Sequence, residues 1–206
     1  MNLNFTKEEE QFALGTFLYA LLCLGFAFSF PKGAEVQYLT QNYIEPVHCI
    51  FAYITQIAEL PGIIAFIALV LLKDRKQLFH YTIIALLTAL TISIFKHLIF
   101  SSSERPRAWA LQQNIVLPIN SSDLLHYSFP SGHTAFAFCL MYCLVMLFNE
   151  RKFTYVFICI GILVGLSRIY LLAHFVIDTG IGALIGLSMG MIGNRLYNRY
   201  LSGLLQ

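Results

Sequence analysis

Charge is what this chain has least of. Only 12% of its 206 residues are Asp, Glu, Lys or Arg, against about 25% in an ordinary soluble domain. Tryptophan occurs once and proline 6 times. A formal charge of +2, with no basic stretch interleaved with aromatics, gives nucleic acid nothing to hold. The 5 cysteines (Cys23, Cys49, Cys139, Cys143, Cys159) all lie in apolar stretches, and no cysteine or histidine cluster has zinc-site spacing. Their expected role is packing. No carboxylate cluster suited to a metal stands out, so neither metal nor other cofactor is expected. Low-complexity tracts and internal repeats are missing as well.

What remains is apolar. Hydrophobic residues make up 58% of the chain and its mean hydropathy is +0.70. That composition predicts a single all-α domain, residues 1–206, that crosses a membrane several times. A span needs roughly 20 mostly apolar residues, and six segments meet or approach that length: Phe12–Phe30, Val47–Leu72, Tyr81–Phe100, Thr134–Phe148, Phe153–Leu172 and Phe175–Leu196. The expectation is a six-transmembrane-helix bundle, with five spans or a re-entrant piece as the alternative. Glu59, Pro61 and Gly62 interrupt the second segment, which reads as a short outer helix followed by a shorter span. Lys7 is offset by Glu8, Glu9 and Glu10, and no small-residue cleavage site follows Phe30, so the first segment reads as a retained anchor.

Basic residues set the expected orientation. With both termini inside, the cytoplasmic pieces carry Lys7, Lys73, Arg75, Lys76, Arg151, Lys152, Arg195 and Arg199, and the outer loops carry Lys32, Arg105, Arg107 and Arg168. The loop from Ser101 to His133 and the turn near Arg168 then face the periplasm, the exterior or an organelle lumen. The compact length and short tails favour a bacterial inner (cytoplasmic) membrane.

Chemistry gathers at the outer ends of these segments. His174, Asp178, Gly182, Gly186 and Gly190 recur every four residues and form one helical stripe. Its glycines follow the small-xxx-small pattern of close helix approach, so His174 and Asp178 should point into the bundle. Gly161 and Gly165 offer a partner face. Asp178, one turn from His174, can fix the tautomer and leave the other ring nitrogen free to attack, or can merely satisfy an interfacial histidine. Pro130-Ser131-Gly132-His133 opens an apolar helix whose free N–H groups make an anion site. His133 at its mouth is either a proton donor for a leaving oxygen or a surface histidine. Lys96, Arg105 and Arg168 could neutralise a phosphate or snorkel to headgroups, the second being the simpler role for Arg107. Glu59 reads as an interface residue, or as one that handles substrate or protons. His48, His80, His97 and His126 read as interfacial, and Asn120-Ser121-Ser122 matches a glycosylation sequon, relevant only in a eukaryotic secretory setting.

Together these residues resemble the type 2 phosphatidic acid phosphatase (PAP2) family, whose pattern runs K-x6-R-P, then P-S-G-H, then S-R-x5-H-x3-D. The second part matches at Pro130–His133 and the third at Ser167, Arg168, His174 and Asp178. The motif region spans 96–178. One departure is clear: eight residues, His97 to Glu104, separate Lys96 from Arg105-Pro106 where the family has six. A continuous helix would put the two cations about 13 Å apart, so the chain must bend if both are to reach one phosphate.

The resemblance implies a metal-independent phosphatase acting on a membrane lipid phosphate or pyrophosphate. His174 would attack phosphorus to form a phosphohistidine, oriented by Asp178. His133 would protonate the leaving oxygen and then activate water. Lys96, Arg105, Ser131, Gly132 and Arg168 would hold the phosphate. Expected substrates are undecaprenyl pyrophosphate, phosphatidylglycerol phosphate, phosphatidic acid or the phosphate of lipid A. The alternatives are a lipid phosphotransferase on the same scaffold and a non-catalytic lipid-phosphate binder or flippase.

Overall fold

A computed structural model describes residues 5–118 and 124–201. The Asn120-Ser121-Ser122 sequon lies outside the described residues. Among the described residues the architecture is helical, with no strand. In order come α1 (Lys7–Ser29), α2 (Ala34–Gln41), α3 (Glu45–Thr55), a 3-10 turn (Gln56–Ala58) and α4 (Leu60–Asp74). Then come α5 (Gln77–Ile94) with a π-helical turn (Phe95–Ile99), α6 (Pro106–Gln112), α7 (Gly132–Phe148), α8 (Arg151–Tyr170), and α9 (Val176–Leu196) with a second π-helical turn (Tyr197–Leu201).

Four helical stretches are long and apolar enough to cross a bilayer: Lys7–Ser29, Gln77–Ile99, Arg151–Tyr170 and Val176–Tyr200. The pair α3–α4, bent by 49° at Glu59, makes a fifth if it counts as one span. The sixth expected span, α7, has only 17 residues. By length and composition the described chain therefore reaches four or five spans. The shortfall has a physical cause. Most of α7 is buried inside the bundle, Ala135 and Phe138 through Val145 among its covered residues. A helix wrapped by other helices is not measured against lipid.

The chain's start is set by a capping box. Thr6 Oγ1 accepts from the Glu9 N–H at 3.2 Å, and Glu9 Oε2 accepts from the Thr6 N–H at 2.9 Å. Helix α1 thus begins at Lys7, ahead of the apolar run. Glu9 also turns inward, its Oε1 accepting from Tyr142 Oη at 2.6 Å and from Asn194 Nδ2 at 3.2 Å. One carboxylate so ties α1, α7 and α9 at the end of the bundle remote from the histidines.

The stripe on α9 faces α7. A Cβ at Gly182 would meet the Ser131 carbonyl, one at Gly186 the Ala135 carbonyl, and one at Gly190 the Tyr142 ring. The partner expected from sequence, Gly161 and Gly165 on α8, is not the one used. Gly161 makes room for Phe138, and Gly165 for Tyr19 and Thr134. Large rings from α1 and α7 fill the space glycine leaves on α8, whereas α7 itself fills the space on α9. The α7–α9 approach fixes where the two halves of the site meet.

Candidate active site

The end of α8 explains the Arg168-to-His174 spacing. Leu172 adopts a left-handed conformation (φ 51°), and a Schellman motif closes around it. Its bonds are Ala173 N–H to the Arg168 carbonyl at 3.0 Å and Leu172 N–H to the Ile169 carbonyl at 3.0 Å. The His174 N–H reaches the same Arg168 carbonyl at 3.2 Å. Arg168 and His174 are therefore bound into one turn. Buried Leu172 and Phe175 pack with Val36 of α2, against Trp109 of α6, and so brace that turn from outside. Glu35 Oε1 adds a bond from the Val176 N–H at 3.1 Å.

Asp178 is the third residue of α9, placed to reach back to the helix start. Its Oδ2 accepts from the Phe175 N–H at 3.1 Å and from Ser128 Oγ at 2.5 Å, and lies 3.4 Å from His174 Nδ1. Ser128 Oγ is itself 3.5 Å from Nδ1. Side-chain exposure is 2% for His174 and 4% for Asp178. The acceptor oxygens assign the ring proton to Nδ1, which leaves the Nε2 lone pair free. Burial, with Lys96, Arg105, Arg168 and His133 nearby, holds His174 well below the usual histidine pKa. That environment favours the neutral ring.

Lys96 and Arg105 converge despite their long spacing. Lys96 sits in the π-helical turn, after which Phe100 leaves helical geometry and Ser101-Ser102 turn the chain. Arg105, extended at φ −86° and ψ 161°, begins α6. Lys96 Nζ donates to the Tyr127 carbonyl at 3.0 Å and Arg105 Nε to the adjacent His126 carbonyl at 3.0 Å. Arg105 Nη1 also reaches the Ala173 carbonyl at 3.4 Å, beside His174. The surplus residues lie in the turn, and both cations flank the same segment.

Arg168 donates from Nη1 to Thr55 Oγ1 at 2.8 Å, and its buried Nε has no partner among the described residues. The side-chain hydrogen bonds described for these three cations thus run to neutral oxygens.

Across from His174, α7 begins at Gly132. Ser131 is tied to both helices. Its N–H donates to the Asp178 carbonyl at 2.9 Å, and its hydroxyl accepts from the Thr134 N–H at 3.4 Å, capping α7. It builds the α7–α9 junction, which leaves the first-turn N–H groups of Gly132 and His133 to face an anion. A Cβ on Gly132 would lie 3.9 Å from Lys96 Cε, so the lysine stem runs beside this helix start. His133 Nε2 is 3.0 Å from Glu59 Oε1.

All eight residues named for the site thus lie at one end of the bundle, on the π-helical turn after α5, the starts of α6 and α7, the end of α8, the α8–α9 turn and the start of α9. Ser128 and Thr55 escaped the sequence reading. Ser128 stands between Tyr127 and Phe129, two residues before Pro130, and Thr55 closes an apolar helix. Neither carries a motif signal. Among the described residues no group of three His, Cys, Asp or Glu could hold a metal.

A family model described as the PAP2 superfamily matches residues 77–201. The crystal structure of Aquifex aeolicus LpxE is similar in fold, with a TM-score of 0.64 over 77% of this chain and 92% of that one. At 21% identity the likeness speaks to fold alone. No curated protein matches the sequence.

Proposed function

The chain belongs to the PAP2 superfamily, and we propose that it is a membrane phosphatase that releases phosphate from a lipid phosphate or pyrophosphate through a phosphohistidine. The observation that carries this reading is the buried His174, paired with Asp178, beside three cations whose described side-chain hydrogen bonds run to neutral oxygens. In this mechanism His174 Nε2 attacks phosphorus while Asp178 stabilises the imidazolium that forms. Lys96, Arg105 and Arg168, with the first-turn N–H groups of α7, neutralise charge on the equatorial oxygens. His133 gives its proton to the leaving oxygen, then takes one from the water that cleaves the phosphohistidine.

The same reading makes α7 a sixth, protein-wrapped span and keeps both termini cytoplasmic, with the site at the outer face of a bacterial inner membrane. Eight of thirteen basic residues then lie inside, in keeping with the positive-inside rule. Candidate substrates are undecaprenyl pyrophosphate, phosphatidylglycerol phosphate, phosphatidic acid and lipid A.

Phosphate release from that panel by the detergent-purified protein, with EDTA present, is the test. Release from one lipid that is lost in His174→Ala supports the reading and names the substrate. Lipid binding without release from any member, by folded protein, would return the chain to the binder or flippase class.

A further inference from the structure

The break between α3 and α4 is built to place one side chain. Glu59 has an extended backbone (φ −115°, ψ −172°) between the 3-10 turn and α4, and Pro61 follows in the first turn. Gly62 packs against the Ile57 carbonyl so closely that a Cβ there would overlap it. Helix geometry is thus interrupted by a tight, specific turn, and the 3-10 turn lies against α7. Both ends of the break reach the site: Thr55 holds Arg168 at 2.8 Å, and Glu59 holds His133 at 3.0 Å. A carboxylate in an apolar stretch is costly unless it is paired or reaches water, and Glu59 is paired with His133.

We infer that Glu59 is the positioning residue of His133, a second carboxylate–histidine pair that serves the proton as Asp178 serves the nucleophile. This inference rests on the phosphatase reading, in which His133 is the general acid. Where the carboxylate accepts, the shared proton belongs to His133 Nε2, and the proton for the leaving oxygen is then one that the ring takes up on Nδ1. When the His174 Nε2–P bond forms, the P–O bond breaks and its electron pair stays on the leaving oxygen. The Nδ1 proton then moves to that oxygen. Without Glu59 the ring loses its fixed orientation, and the proton is misplaced at the moment of bond cleavage.

The test removes the need for the proton. Phosphatidic acid is compared with an analogue carrying sulfur at the bridging position, because a thiolate departs without protonation. If the panel above selects another lipid, its sulfur-bridged counterpart takes the same place. The readout is kcat/KM, which stops at leaving-group departure. Glu59→Ala should lower it for the oxygen substrate by roughly tenfold to a hundredfold, with a loss at least tenfold smaller for the sulfur analogue. Glu59→Gln, which keeps an acceptor for the ring, should recover part of the loss. His133→Ala serves as reference for the same split, and His174→Ala should lose both substrates. Equal losses on both substrates in Glu59→Ala, or no loss, alongside a clear split in His133→Ala, would overturn the role of Glu59. A His133→Ala variant that shows no split would instead remove the acid assignment beneath it.

Discussion

Two histidine–carboxylate pairs face each other across the site, alike in chemistry and unlike in mounting. In the His174–Asp178 pair both members are almost wholly buried, with side-chain exposures of 2% and 4%. Three donors converge on one carboxylate oxygen, and two helices and a closed turn hold the frame. In the His133–Glu59 pair the exposures are 33% and 41%, and the described tie is a single bond of 3.0 Å. Its carboxylate comes from a helix break. The difference matches what each histidine is asked to do in the proposed mechanism. A nucleophile must keep one tautomer and one aim at a distance fixed to a fraction of an ångström. A proton carrier must meet a lipid oxygen and later a water, and needs access more than rigidity.

The comparison can be broken hardest at the buried pair. His174→Ala should lower kcat by roughly ten-thousand-fold or more while lipid-phosphate binding by equilibrium dialysis in detergent stays measurable. Asp178→Asn keeps an acceptor for Phe175 N–H but loses the charge that stabilises the imidazolium. Its expected cost is roughly a thousandfold in kcat, well beyond that of any change at Glu59. Comparable losses at the two carboxylates would erase the distinction between the pairs.

Arg105→Gln should lower kcat/KM by about a hundredfold through lost phosphate contacts, and it also sharpens the contrast in pH. In the proposed mechanism neutral His174 attacks, so its own contribution to the pH profile is a fall in activity as pH drops through its depressed pKa. The acid limb of kcat/KM due to His174 should therefore lie below the ordinary histidine value of 6.5. Removing one of the cations that depress it raises that pKa, and the acid limb should move to higher pH. An unmoved limb would mean that the histidine does not feel this guanidinium. The smallest effect is expected at Ser128→Ala, which removes one of three donors to Asp178. A loss of roughly 1 kcal/mol, about fivefold in kcat, is expected there.

Sequence made one half of the site more legible than the other. His174 and Asp178 are four residues apart, and the six-residue step back to Arg168 is the length of one helix-closing turn. Local geometry fixes such relations, so spacing reveals them. The family resemblance carried Lys96 and Arg105 across their unusual spacing, and the turn at Ser101-Ser102 shows where the extra residues go. Non-local relations were harder. Glycines on α8 and α9 looked like each other's partners, yet each set packs against larger residues from α1 or α7, because pairing of faces depends on how the whole bundle is arranged. Ser128, Thr55 and the pairing of Glu59 with His133 are contacts across 46 to 113 residues of sequence. Of the six expected spans the described helices give four or five by length and composition, with α7 a shorter apolar helix.

Asp178 closes the first turn of α9 with the same oxygen that orients His174, the nucleophile of the proposed mechanism. Folding and arming are consequently one event. A chain whose α9 has frayed at its start has lost the cap and the histidine's partner together, so a partly assembled bundle carries a disabled phosphatase. A newly inserted protein would come into activity only when its last helix has docked, sparing the surrounding lipids from a misaimed nucleophile in the meantime.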